Sequence, residues 1–176
     1  MRPLDPAAPV IVVDLQTGMF DGVMSPPLHD AAGLTERVKT VLAWARREGR
    51  AIGFVQQNGP PGDQLEPGTP GWTIWPALER AADEPAFEKT QGNAFSNPVL
   101  VDWVAGQGAG EVVVVGAATN HCIAATVAGA MQLGLAVTVI ADAHSTGGDT
   151  AAQIISEHNA AFASAGATLL STSDLL

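Results

Sequence analysis

EVVVVGAATNHCIAATVAGAMQLGLAVTVIADA, residues 111–143, decides the fold. Four consecutive valines at 112–115 show no polar alternation, the pattern of a strand buried on both faces, as in a parallel sheet. The run breaks at Gly116 and passes through an Ala-rich helical segment at 120–133 that closes on Gly134. It then re-enters a strand as AVTVIA at 136–141. Strand, helix, strand in that order is a βαβ unit, joined by a right-handed crossover.

The same alternation extends to either side. PVIVVD at 9–14, AIGFVQ at 51–56, the short AFEK at 86–89 and residues 167–170 read as strands. Between them, Leu34, Val38, Val41, Leu42 and Ala45 recur at helical spacing in a segment, 34–48, that ends at Gly49. Residues 97–106 place Pro98 in a first helical turn, and residues 150–165 close at Gly166. The pattern predicts a three-layer αβα, Rossmann-like α/β fold with a parallel sheet flanked by helices. At 176 residues, one domain over 1–176 is the expectation.

Composition narrows the function. An apolar fraction of 47% against 15% charged residues excludes a disordered or coiled-coil chain. A net charge of −10 repels phosphate backbones, so no nucleic-acid or anionic-membrane partner is expected. No apolar run is long enough to cross a bilayer, and MRPLDPAAP lacks a signal peptide's basic-then-apolar order, so a cytoplasmic location is expected. The single cysteine, Cys122, forms no internal disulfide and is either a small buried hydrophobe or a reactive thiol.

In open α/β sheets ligands bind beyond the carboxyl ends of the strands. Asp14 ends the first strand, as a loop anchor or a pocket carboxylate. Lys89 ends the short third one, as a surface residue or a pocket cation. Cys122 lies where the valine strand turns into a helix. With Thr119 or Asn120 as N-cap, Cys122 falls in the first helical turn, where free amides and the helix dipole favour an anion. A lowered thiol pKa is therefore expected. The segment 58–78, with five prolines and four glycines, is an irregular loop whose Trp72 and Trp75 are candidate pocket walls.

VIVVDLQTGMF (10–20), KTQGNAF (89–95) and VVGAATNHCIAATVAGAMQLGLAVTVIADA (114–143) together resemble the isochorismatase-like superfamily of cysteine hydrolases, relatives of nicotinamidase and N-carbamoylsarcosine amidase. The G-x-x-T-x-x-C pattern at 116–122 is the most specific of the three. The resemblance implies a six-stranded parallel sheet, a catalytic triad of Asp14, Lys89 and Cys122, and a cis peptide at Ala117–Ala118. It implies an oxyanion hole from the backbone amides of Ala118 and Cys122, and a homo-oligomer, dimer or tetramer. The reaction it implies is hydrolysis of a C–N bond through a thioester, with a small-molecule amide and water as the reactants.

Two departures shape the substrate expectation. The Asp-x-His metal group of nicotinamidases is replaced by Gln56-Gln57-Asn58-Gly59, so no metal and no cofactor are expected. Gln57 and Trp75 stand where many small relatives carry histidines, which makes a neutral amide or lactam the expected substrate. Phe20, Trp72, Trp75 and Phe95 are candidate walls, with Gln57 and Asn120 as polar contacts. His121 neighbours Cys122, but adjacent helical side chains diverge, so a Cys–His dyad is disfavoured. Asp142 and His144 form a D-x-H pair too small for a metal site, and Asp142 reads better as a loop anchor. A catalytically silent binding or regulatory protein of the same fold remains the alternative. A nucleotide-dependent oxidoreductase lacks its G-x-G-x-x-G turn, and a serine hydrolase its G-x-S-x-G.

Overall fold

Six parallel strands lie in the order β3-β2-β1-β4-β5-β6 in the computed structural model, which describes residues 3–176. They are β1 (Val10–Val13), β2 (Ile52–Gln57), β3 (Ala86–Lys89), β4 (Glu111–Ala117), β5 (Ala136–Ser145) and β6 (Thr168–Leu170). The helices are α1 (Ala31–Arg47), α2 (Pro98–Gly106), α3 (Ala124–Gln132) and α4 (Ala151–Ala165). The predicted three-layer α/β architecture is what the chain adopts.

Alternation along each strand divides the core in two. Val10, Val12, Ile52, Phe54, Val113 and Val115 pack with Leu34, Val38, Val41 and Leu42 of α1. Ile11, Val13, Val55, Val112 and Val114 pack on the opposite face with Leu100 of α2, Val127 of α3 and Phe162 of α4. Both faces of the sheet are thus covered, which is why its strands read as unbroken apolar runs. No helix among the described residues is long and apolar enough to cross a membrane.

One helix start agrees with the sequence reading and two boundaries differ from it, each for a physical reason. Asn97 caps α2, its side chain accepting from the Val99 amide at 2.9 Å, as the Asn-Pro pair suggests. The segment predicted as one helix from 120 begins instead with a π-helical turn, Thr119–Ile123, followed by α3. Neither Thr119 nor Asn120 caps it, because Thr119 Oγ1 pairs with His144 Nδ1 at 2.8 Å and Asn120 Oδ1 accepts from Thr146 Oγ1 at 2.8 Å. Single π turns in this position are common at functional sites. β5 runs on to Ser145 because its register against β4 slips: Val114 pairs with Val139, but Gly116 pairs with His144.

At Gly116 β4 packs directly on the Val13 backbone of β1. Its φ is +130°, and a Cβ there would sit 2.1 Å from the Val13 carbonyl oxygen. Only glycine fits. The strand order reverses direction between β1 and β4, and the crevice at their carboxyl ends is the topological switch point of the sheet.

Candidate active site

Asp14, Lys89 and Cys122 meet at that switch point. Asp14 follows the last residue of β1, its amide donating to the Val55 carbonyl at 2.9 Å, with φ at +52°. Left-handed backbone at a non-glycine residue concentrates at sites where geometry is over-determined. Lys89 ends β3, two strands away, and its side chain reaches across the end of β2. Its Nζ lies 3.1 Å from Asp14 Oδ2 and 3.3 Å from Cys122 Sγ, and it donates to the Gln91 carbonyl at 2.9 Å. It also donates to Gln57 Oε1. Cys122 sits on the π turn, half-buried, and Ala118, whose carbonyl accepts from the amides of His121 and Ile123, anchors that turn. The bond before it, Ala117–Ala118, is cis, at the position the resemblance implied.

Burial governs the charges. Desolvation pushes the Asp14 carboxyl above the usual carboxylate range, and the Lys89 ammonium and the Cys122 thiol partly offset this. Asp14 Oδ1 is buried without a hydrogen-bond partner among the described residues. Burial also pushes the Cys122 thiol up to about 11; Asp14 adds to this and Lys89 opposes it. The expected lowering of the cysteine pKa is therefore corrected: desolvation and a facing carboxyl outweigh the Lys89 ammonium. At rest the thiol is therefore neutral and lies beside the Asp14–Lys89 ion pair.

The remaining expected residues divide into groups. Gln57 joins the cluster through Lys89, leaving its Nε2 group for any further contact. Trp72 is tied to the sheet, its indole Nε1 donating to Asn58 Oδ1 at 2.8 Å and its carbonyl accepting from Gln16 and Gln56. Phe20 and Trp75 stack on each other at 4.6 Å within the apolar cluster under α1, and Trp75 Nε1 donates to Thr35 Oγ1 at 3.2 Å. Phe95 is buried in the opposite cluster, the one against which Cys122 packs. Asn120 is engaged by Thr146. His121 is exposed.

A nicotinamidase-type metal does not fit the donors at the end of β2. Gln57 Oε1 faces the Lys89 ammonium, Gln56 Nε2 donates to the Trp72 carbonyl, and Asn58 is held by Trp72 and Glu88. These carboxamides are poor ligands for a transition metal. Asp142 is the loop anchor the sequence suggested, accepting from the Thr172 amide and hydroxyl at 2.9 and 2.6 Å.

Two contributors escape a reading by residue type. Gln16 is fully buried and binds both main-chain groups of Gln57, its Oε1 accepting from the amide at 2.9 Å and its Nε2 donating to the carbonyl at 3.0 Å. Its local signal is a polar residue three positions past the end of an apolar strand. His144 bridges Thr119 to Asn159 Oδ1, the latter at 2.9 Å, and burial lowers its pKa, so the ring is neutral there.

Comparison with known proteins agrees with this fold. The chain is 34% identical over 148 residues to a streptothricin hydrolase of Streptomyces noursei, covering 84% of this chain and 53% of that protein. It is 28% identical over 156 residues to the nicotinamidase/pyrazinamidase of Mycobacterium tuberculosis (strain ATCC 25618 / H37Rv), covering 76% of this chain and 83% of that protein. The chain thus spans about half the length of the streptothricin hydrolases it matches. Among solved structures, an isochorismatase from Pseudomonas putida KT2440 superposes with a TM-score of 0.88 at 26% identity, over 100% of this chain and 94% of that one. The family model for the isochorismatase domain matches residues 8–174, and on that match the chain belongs to the isochorismatase family.

Proposed function

We propose that the protein is a cofactor-independent cysteine hydrolase that cleaves the C–N bond of a small neutral amide or lactam through a thioester. The observation that carries this is the Lys89 ammonium standing between Asp14 Oδ2 at 3.1 Å and Cys122 Sγ at 3.3 Å. Asp14, Lys89 and Cys122 are the catalytic residues of this reading. A carboxylate–ammonium pair is neutral overall, and the carboxamides beside it add no charge, which suits an uncharged substrate better than an anion.

Asp14 Oδ1, the oxygen without a partner, takes the proton from the Cys122 thiol as Sγ attacks the substrate carbonyl carbon. The C–S bond forms, and the carbonyl π pair moves to oxygen, facing the amides of Ala118 and Cys122. On collapse the C–N bond breaks, its electron pair leaves with nitrogen, and Asp14 returns the proton to it. Water then gives a proton to Asp14 and attacks the thioester carbon, the C–S bond breaks, and Asp14 reprotonates the thiolate. The products are a carboxylic acid and ammonia or an amine; from a lactam both groups stay in one molecule. Lys89 stabilises the thiolate through both halves. Because burial keeps the resting thiol neutral, the nucleophile is generated during attack.

The test is turnover of a panel of simple amides and lactams, together with streptothricin and nicotinamide, the compounds its relatives' names carry. The expected result is product release by the native protein, loss in Cys122→Ser, and an acyl adduct on Cys122 when the reaction is quenched with acid. Absence of both turnover and adduct across the panel, with the protein folded, overturns the reading and leaves the silent binding protein in its place.

A further inference from the structure

Gln57 stands opposite Lys89 in the register of β2 and β3. Residues paired in a parallel sheet present their side chains to the same face, so the amide and the ammonium are neighbours by construction. Gln57 Oε1 accepts from Lys89 Nζ. That ammonium has four neighbours that can accept, Asp14 Oδ2, Gln57 Oε1, the Gln91 carbonyl and Cys122 Sγ, but only three protons. Removing one acceptor redistributes it among the others.

The Gln57 peptide is itself braced. β1 pairs with β2 only as far as Val13 opposite Val55. Two residues further along β2, the side-chain amide of Gln16 supplies both bonds a neighbouring strand would have made, at 2.9 and 3.0 Å. The same Gln16 Nε2 reaches the Trp72 carbonyl at 2.9 Å, which ties the proline-rich loop to this point. A buried, fully partnered amide of this kind holds one geometry.

We propose that Gln57 is the positioning residue of Lys89: its neutral carbonyl oxygen fixes the ammonium between Asp14 and Cys122 without cancelling its charge. A carboxylate at 57 would hold the lysine equally well and spend its field. An apolar side chain would keep the field and release the lysine. The kinetic consequence rests on the hydrolase reading above; the effect on the Cys122 thiol does not.

The test is the pH dependence of iodoacetamide alkylation of Cys122, followed by intact mass on the folded protein, for Gln57→Glu and Gln57→Met. Gln57→Glu retains the oxygen but adds a charge, so the alkylation rate at pH 8 falls about tenfold and the midpoint moves up. Gln57→Met keeps the volume and removes the acceptor; its midpoint moves up as well, and Gln57→Asn, too short to reach, matches it should the methionine variant fail to fold. In a Lys89→Met background, Gln57→Met produces no further shift, which a purely structural role would not give. Profiles that overlay the native one, or a Gln57→Met shift that persists undiminished without Lys89, overturn the proposal. Alkylation needs no substrate, so a native protein that turns over no amide counts against the hydrolase reading and leaves this result standing.

Discussion

Lys89 Nζ lies 3.1 Å from Asp14 Oδ2, and the two side chains are 0% and 3% exposed. A charge pair so withdrawn from water survives because each member neutralises the other, and its desolvation cost leaves little net stabilisation. Breaking it from one side is a different matter. Lys89→Met leaves a buried carboxylate unpaired, and the expected loss is about 3–5 kcal/mol in urea unfolding at pH 7. The double variant Asp14→Asn/Lys89→Met removes both charges and should be markedly more stable than Lys89→Met alone. Equal stabilities would mean the pair is not a coupled unit.

Gly116→Ala tests the junction that brings Asp14 and Cys122 together. The added Cβ meets the Val13 carbonyl oxygen at 2.1 Å, on backbone at φ +130° that disfavours any side chain. A destabilisation of about 4 kcal/mol or more is expected, at the extreme for single substitutions. Gly110→Ala, with no atom within 4 Å of its added Cβ, is the control and should stay within about 0.5 kcal/mol. Comparable losses in the two would show that the β1–β4 approach is softer than this packing.

How much of this the residues themselves disclose depends on how local the cause is. The strands were legible because a sheet covered on both faces needs apolar residues at every position, and Val112 to Val115 supply them. α2 was legible because Asn97 and Pro98 act within one turn of themselves. β5 stopped short in the reading at Ala141 because Asp142 and His144 look like loop residues; only tertiary partners, Thr172 and Thr119, make them part of a strand. The same partners explain the missed π turn, since Thr119 is a credible cap until His144 takes its hydroxyl. Strand-end positions singled out Asp14, Lys89 and Cys122 and the family resemblance joined them as a triad, but the rise in the thiol's pKa follows from burial, which no spacing of residues discloses.

Thr119→Val probes the support of the Cys122 turn. The substitution keeps the shape of the side chain and deletes the hydroxyl that pairs with His144 Nδ1 at 2.8 Å. The imidazole nitrogen is then buried without a partner, at an expected cost of about 1–3 kcal/mol. Thr119→Ser, which retains the hydroxyl, should lose less than Thr119→Val. A valine variant as stable as the native protein in urea would indicate that His144 finds another partner.

The thiol provides the pH prediction. Cys122 is displaced upward from the ordinary value of 9.0 to about 11, chiefly by burial, with Asp14 raising it further and Lys89 lowering it. Alkylation of the native protein should therefore be slow at neutral pH and climb through about 11. Lys89→Met removes the opposing charge and moves the midpoint up; Asp14→Asn removes a like charge and moves it down. The linkage to stability has a definite sign. A thiol whose folded pKa exceeds its unfolded one favours the fold below pH 9.0, and that contribution is lost as pH rises through about 11. The melting temperature should accordingly fall across that interval by more in the native protein than in Cys122→Ala. On the proposed hydrolase reading Asp14 must be ionised to take the thiol proton, so the acid limb of turnover should lie above the usual carboxylate range, where burial pushes this carboxyl. A native alkylation midpoint below the ordinary thiol value would instead mean that the Lys89 field dominates burial at Sγ, and would return the site to a preformed thiolate.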